Sequence, residues 1–204
     1  AASEQHRQSF LDSLGIKRPI LFSLNQIHSD HIVTLGQEQD ETAFAQQEGD
    51  AIITNAMDRP IGVFTADCVP VILYDSVTHS AGVVHAGRCG TEQNIVSKTI
   101  KEMVATYGVE PSNLRVGLGP SIGPCCYEVE EACLNQLKAN YSNWAQLVKP
   151  HTPGKCFLDL WEANRRDALL AQVPADNIEI AKECTMCRVD RWYSYRKEGN
   201  TGRM

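Results

Sequence analysis

Residues 61–90, IGVFTADCVPVILYDSVTHSAGVVHAGRCG, constrain the fold more than any other stretch of the chain. Two apolar runs rich in valine and isoleucine flank a polar turn, a pattern that predicts an antiparallel hairpin. Cys68 opens the first run and His85 closes the second. With the turn centred between Ser76 and Val77, Cys68 lies directly opposite His85, where Cβ atoms are about 4.5–5.5 Å apart. A thiol and an imidazole at that separation, beside Gly87 and Gly90, can share a metal ion or a proton. They mark a candidate active site.

The 204 residues suffice for one domain with a sizeable core. A net charge of −6 argues against a general nucleic-acid binder, because no broad cationic surface is available. The local exception is residues 188–197, whose basic and aromatic side chains suit an anionic or planar ligand, or else an exposed basic strand end. No apolar run approaches the roughly 18 residues of a membrane span, and the polar N-terminus lacks a signal-peptide core. A cytoplasmic protein without membrane contact is expected. The eight cysteines lack a dense framework spacing and are expected to be reduced thiols. Cys184 and Cys187 form a lone CxxC, for which a redox or zinc role is the minority reading.

Residues 3–14 predict a short helix with Phe10, Leu11 and Leu14 inward, ended by Gly15. Strands are expected around the polar segment 25–31, then a polar loop through Glu48 and a short strand over Ala51–Thr54. Thr91 is placed as the N-cap of a helix to Tyr107, with Val96, Ile100, Met103, Val104 and Tyr107 as its apolar stripe and Gly108 as its stop. Residues 114–118 read as a strand entering a turn-rich segment, and a helix is expected from about Glu128. Asp159 with Glu162 resembles a capping box for a helix through Leu170. Strands are expected over 177–183 and 192–196. No repeat or linker divides the chain. The interspersed elements predict α+β, a mixed-sheet sandwich with flanking helices, over a doubly wound fold.

His28, Cys68 and His85 each sit in a polar or glycine-flanked break at the edge of an apolar run, where a strand delivers a side chain to a rim. Two imidazoles and a thiolate suit Zn²⁺ or copper and leave a fourth tetrahedral position, where zinc would acidify a water. Without metal, His85 can instead hold Cys68 as a thiolate nucleophile. Spacing does not separate these two. Asp67 either orients a ligand histidine or ends the strand, and His31 and His79 read as surface residues. The turn over 117–124 is either an anion cradle or, by preference, a structural turn. Asn164 and Arg165, one helical turn past Asp159, reach the same rim or belong to a solvated helix face.

Several segments together carry a family resemblance. They are Gln26-Ile-His28-Ser29, Thr65-Ala-Asp-Cys68-Val-Pro-Val, Gly82-Val-Val-His85-Ala-Gly and Gly119-Pro-Ser-Ile-Gly-Pro-Cys-Cys-Tyr-Glu-Val. Leu158-Asp-Leu-Trp-Glu-Ala-Asn164-Arg and the tail Tyr193-Ser-Tyr-Arg-Lys-Glu-Gly-Asn-Thr-Gly-Arg-Met204 complete the set. In this order they resemble the laccase-domain family, once described as multicopper polyphenol oxidases. The resemblance implies a catalytic zinc site of His28, Cys68 and His85. It also implies phosphorolysis of adenosine, inosine and methylthioadenosine, and deamination of adenosine. The implied partners are a purine nucleoside and phosphate, with Arg88, Asn164 and Arg165 as substrate contacts, in a monomer.

The fold so implied is related to the catalytic domain of cytotoxic necrotizing factor, which uses a Cys–His pair for glutamine deamidation. A Cys–His hydrolase or amidase acting on a peptide-like or muropeptide substrate is therefore one alternative. A copper polyphenol oxidase is another, and a binding protein without turnover a third. After His85-Ala-Gly the family continues Trp-Arg-Gly-Thr, whereas this chain has Arg88-Cys89-Gly90-Thr91, which adds Cys89 as a further potential ligand. The expected unit is a single domain over 1–204 without the family's N-terminal segment.

Overall fold

The computed structural model describes residues 8, 9, 11–16 and 20–204. Six strands form the central sheet: β1 (Ile32–Leu35), β2 (Ala51–Thr54), β3 (Val69–Asp75), β4 (Ser80–Ala86), β5 (Arg115–Leu118) and β9 (Ile178–Ile180). Their order is β1-β2-β4-β3-β5-β9. The outer pairs β1–β2 and β5–β9 are parallel and the inner pairs antiparallel, so the sheet is mixed as expected. A second sheet contains β6 (Glu128–Glu130), β7 (Val148–Pro150) and β8 (Lys155–Leu158) in the order β6-β8-β7.

Among the described elements are the α-helices α1 (Glu41–Ala45), α2 (Arg88–Glu92), α3 (Ile95–Tyr107), α4 (Asn135–Asn140), α5 (Leu160–Leu170) and α6 (Tyr195–Glu198), with 3₁₀ turns at Glu131–Leu134, Trp144–Leu147 and Ala175–Asn177. Helix α3 packs on β4 and β2, and α5 packs on α3 and β5, which buries one face of the sheet. Val96, Ile100 and Met103 supply that contact, while Val104 is 38% exposed at the edge of the predicted stripe. Phe22, Leu24 and Phe44 cover the opposite face over Ile52 and Val83. That cover stops short of the far side of β3. There Val69, Val71 and Leu73 point inward while Ile72 and Tyr74 face out, the period-2 signature of a half-covered strand. No helix among the described residues is long and apolar enough to cross a membrane.

The hairpin forms, but its register differs from the symmetric expectation. The buried Asp75 carboxylate accepts from Val77 N at 3.0 Å and from Thr78 Oγ1 at 2.7 Å, an Asx-type turn that starts the reversal late. Asp75 therefore pairs with Ser80, and His85 lies opposite Pro70 rather than Cys68. Moving the turn centre by one residue moves every partner by two, so the side-chain face is conserved. Cys68, just before β3, still shares the face of His85 as a diagonal neighbour.

Five other expectations change. The segment before Glu48 contains α1, capped by Asp40 and anchored by the buried Phe44. Residue Asn94, at φ 60, splits the helix predicted from Thr91, so Thr91 falls inside α2 and α3 starts at Ile95. Glu128 pairs with Phe157 in a strand, and α4 follows only after a 3₁₀ turn over Glu131–Leu134. Residues near 192–196 turn into α6, because the Ser194 side chain caps Lys197 N. At the N-terminus Leu11 is buried but Leu14 is 58% exposed, and Phe10 lies outside the described residues.

Asn164 lies in the interior, not on a rim. Its Nδ2 donates to Leu160 O at 2.8 Å and to Thr91 Oγ1 at 3.0 Å, tying α5 to α2. Asn164→Leu leaves the Thr91 hydroxyl without this partner in the core. The expected loss is about 1–3 kcal/mol of unfolding free energy, measured by urea denaturation.

Candidate metal centre

His85 is the penultimate residue of β4 and a buried side chain, and its ring is fixed from behind by Asp50, the residue before β2. Asp50 is fully buried and uses both oxygens. Its Oδ1 accepts from His85 Nδ1 at 2.7 Å and from His28 N at 3.1 Å. Its Oδ2 accepts from Ser29 N at 2.6 Å and Ser29 Oγ at 2.7 Å. One carboxylate thus holds the backbone of the 27–29 turn, where His28 adopts a left-handed φ of 61°, and orients the second imidazole. A proton on Nδ1 leaves the Nε2 lone pair of His85 free as a ligand.

Cys68 approaches from the third side. Its Sγ lies 3.9 Å from His28 Nε2, and the His28 and His85 rings meet edge to face with centroids 4.8 Å apart. One donor atom from each of His28, Cys68 and His85 lies within 4.8 Å of the others. Gly87 keeps this space open, because a Cβ there would stand 3.0 Å from Cys68 Sγ and 3.1 Å from His28 Cδ2. Two nitrogens, one sulfur and a carboxylate behind one imidazole fit a borderline-soft ion such as zinc or copper.

Burial pushes the Cys68 thiol up, but hydrogen bonds to His28 and His85 outweigh it and bring it down to about 7. Burial likewise disfavours the His85 cation, yet Asp50 and Cys68 raise it to about 9. In the metal-free chain the thiolate's contribution is present above the ordinary 9.0 and lost as pH falls through about 7. The imidazolium's contribution is full below 6.5 and lost as pH rises through about 9. The two charges coexist between those limits. Alkylation of Cys68 in zinc-free protein is therefore expected to have its midpoint near pH 7 instead of near 9, followed by iodoacetamide labelling and mass spectrometry.

The three donors open into a cleft of about 660 Å³ whose lining includes Phe64, Tyr127, Tyr195, Arg196 and Arg203. Such a volume suits a small organic ligand. Gln26 clamps Phe64 in place, donating Nε2–H to its carbonyl at 2.9 Å and accepting its N–H at 2.7 Å. Arg196 lies over the Tyr127 ring, 5.0 Å from its centroid, and donates to Glu128 O at 2.6 Å. The C-terminal segment that carries Tyr195, Arg196 and Arg203 is tied down by Asp67, not by a metal ligand. Asp67 accepts from Thr185 Oγ1 and from Arg196 N, both at 2.6 Å. Orientation of a ligand histidine, an expectation for Asp67, belongs to Asp50.

The expected substrate contacts lie elsewhere. Arg88 Nη1 donates to the Glu92 carboxylate at 2.8 and 3.0 Å and to Cys133 O, and it lines a neighbouring cleft of about 310 Å³ with Tyr127 and Arg196. Arg165 pairs with Glu162 at 3.3 Å, and Asn164 is buried. Neither reaches the donor cleft. Cys89 is not in the donor group. His31 Nδ1 contacts Glu48 O at 2.7 Å. The 117–124 turn is no anion cradle, because the N–H groups of Gly119, Ser121 and Ile122 bind Pro70 O, Glu183 O and Asp67 O. The Gly123 N–H is taken by Cys184 Sγ.

The residue that sequence reasoning leaves out is Asp50; Gly87 is marked only as a neighbour of the pair, and Tyr127 and Arg203 only as members of the family segments. Arg196 belongs to the basic and aromatic tail, which is the signal that points to it. Asp50 has no such local signal, since an aspartate before a strand is common.

Over residues 1–204 the chain matches the family described as multi-copper polyphenol oxidoreductase laccase. It is 36% identical over 183 residues to a purine nucleoside phosphorylase of Clostridium acetobutylicum, covering 89% of this chain and 73% of that protein. Adenosine deaminase RL5, from an unknown prokaryotic organism, is 34% identical over 198 residues, or 93% of this chain and 75% of that protein. The crystal structure of the hypothetical protein YfiH of Bacillus licheniformis matches with a TM-score of 0.93 at 27% identity, covering 98% of this chain and 78% of that one. YlmD of Geobacillus stearothermophilus gives a TM-score of 0.87 at 28% identity, over 98% and 77% of the two chains. The motifs, the fold that gathers them and these matches agree, and the chain belongs to the multi-copper polyphenol oxidoreductase laccase family.

Proposed function

We propose that this chain is a zinc-dependent purine nucleoside enzyme, cleaving adenosine, inosine and methylthioadenosine with phosphate and deaminating adenosine. The observation that carries this reading is the Asp50-anchored His28–Cys68–His85 set within a cleft that also holds aromatic rings and guanidinium groups. One relative named as an adenosine deaminase and another named as a purine nucleoside phosphorylase support it. Zinc held by His28, Cys68 and His85 would supply a Lewis acid for a water or a substrate atom.

The protein's own groups do the rest. Asp50 keeps the Nδ1 proton on His85 and so keeps Nε2 a donor to the ion. Phe64, Tyr127 and Tyr195 offer apolar faces for a purine ring, and Arg196 and Arg203 offer forked N–H donors to an anion. In deamination a water oxygen bonds to purine C6 while the exocyclic amine leaves as ammonia. In phosphorolysis a phosphate oxygen bonds to ribose C1′ while the C1′–N9 bond breaks and the purine leaves. Arg88 shapes the adjoining cleft, and Asn164 and Arg165 act indirectly through α5.

Zinc-quantified protein incubated with adenosine is expected to yield inosine, and with added phosphate also adenine and ribose 1-phosphate, separated by chromatography. Chelation should remove both activities and zinc should restore them, with copper reloaded in parallel. Unchanged adenosine in the presence of protein with zinc bound would sink the proposal and leave a binding role.

A second reading has one observation in its favour. Cys68, His85 and Asp50 stand in nucleophile–base–orienter order, with the thiol brought down to about 7. That arrangement suits a metal-free amidase acting on a peptide-like substrate.

A further inference from the structure

The CxxC of Cys184 and Cys187 has no partner in the sequence, but the fold supplies one. Cys125 and Cys126 lie in the turn after β5, and Cys184 and Cys187 in the turn after β9. Strands β5 and β9 are parallel neighbours, so their exits reach the same edge of the sheet. Ser121 N donates to Glu183 O and Thr185 N to Ser121 O, both at 3.1 Å, which stitches the two loops together.

The four sulfurs converge. All lie within 4.8 Å of one another, and Cys187 Sγ is 3.4 Å from Cys126 Sγ and 3.7 Å from Cys125 Sγ. Four thiolates around zinc, with Zn–S near 2.3 Å, form a tetrahedron whose edges are about 3.8 Å. Cys184 Sγ also accepts the Gly123 N–H at 3.2 Å, an outer partner of the type that steadies a metal-bound sulfur. Trp161 leaves no room for a side chain at Gly123, since its Cη2 would stand 2.7 Å from a Cβ there.

We infer that Cys125, Cys126, Cys184 and Cys187 form a second metal site, a closed tetrathiolate centre for Zn²⁺. Four protein ligands leave no open position, so the site is structural. Binding exchanges the thiol protons for the ion. The site does not depend on the nucleoside reading, but it braces the cleft. Ile122 N donates to Asp67 O at 2.9 Å from one loop, and Thr185 Oγ1 reaches the Asp67 carboxylate from the other. Asp67 precedes the ligand Cys68 and holds the backbone of Arg196. The second ion thus secures both the approach of Cys68 and the tail that walls the cleft.

Metal analysis of the intact chain, purified under reducing conditions, tests this. Two zinc ions per chain are expected in the wild type. One is expected in Cys68→Ala and one in the Cys184→Ser, Cys187→Ser double variant. Mass spectrometry should show these four cysteines protected from alkylation until chelator is added. Cobalt loaded into Cys68→Ala should give the intense charge-transfer absorption of a four-thiolate set. If the double variant does not fold, the protection and cobalt measurements decide. A single zinc that Cys68→Ala removes, free alkylation of the four thiols before chelation, or a Cys126–Cys187 disulfide in acid-trapped protein would each overturn the site.

Discussion

Asp50→Asn is expected to weaken metal binding at the His28–Cys68–His85 site by about 10–100-fold, the range for losing an outer partner of a ligand histidine. The carboxylate is acceptor-only on both oxygens and each is in use: Oδ1 for His85 and His28, Oδ2 for Ser29 and Ile27. An amide has a single acceptor oxygen. Whichever way it points, its NH₂ faces donors, either the His85 ring and the His28 amide or the Ser29 pair. One orientation frees the imidazole to change tautomer; the other loosens the turn that presents His28. Zinc titration against a chromophoric chelator reads the affinity. A second readout separates positioning from stability. Losing the carboxylate removes the leading influence that raises His85, so the Cys68 alkylation midpoint in zinc-free variant should move up from near 7. Unchanged zinc affinity in a folded variant would show that the His85–Asp50 contact does not govern the site.

The parts of this molecule legible in the sequence are those set by local pattern. The β3–β4 hairpin follows from alternating apolar residues, and Gly108, at φ 68, ends α3 where a left-handed residue is required. Asp159 caps α5 through Glu162 N at 3.0 Å, although Glu162 turns to Arg166 instead of returning to the cap. What the pattern does not carry is side-chain competition for backbone groups. Asp75 decides the hairpin register through three hydrogen bonds, and Ser194 turns an aromatic, strand-like tail into a helix.

The site divides the same way. His28, Cys68 and His85 are legible because each ends an apolar run, and a two-residue error in pairing leaves the face unchanged. Asp50 and the four-cysteine cluster are not, because their partners lie far away along the chain: Asp50 meets His85 only when β2 pairs with β4, and the cysteines meet only when the parallel β5 and β9 align. Arg88 lines the neighbouring cleft and not the donor cleft for a related reason. Gly87 caps α2, so the residue after it starts a helix and pairs with Glu92 one turn on, where an extended chain would have aimed it at the cleft.

Cys68 carries the largest expected effect, and two substitutions there decide between the metal and nucleophile readings. Cys68→Ala removes one of three protein ligands and is expected to weaken zinc binding about a thousand-fold, a share of the roughly 10–16 kcal/mol that four ligands supply in structural zinc sites. Nucleoside turnover should fall to background. That loss alone is uninformative, since a missing nucleophile would produce it too. Cys68→Asp separates the cases. A carboxylate is a competent zinc ligand at about 2.0–2.2 Å, and Asp is compact enough for a space where Gly87 already leaves only 3.0 Å from a Cβ to Cys68 Sγ. It retains the ion while abolishing thiol chemistry. If the ion carries the chemistry, the aspartate variant keeps zinc and measurable adenosine turnover, sensitive to chelator and insensitive to iodoacetamide. If the thiol carries it, the variant binds zinc and does nothing, while zinc-free wild type stays active until alkylated. The Asp50-anchored imidazole serves either chemistry, so the atom at position 68 is where the two diverge.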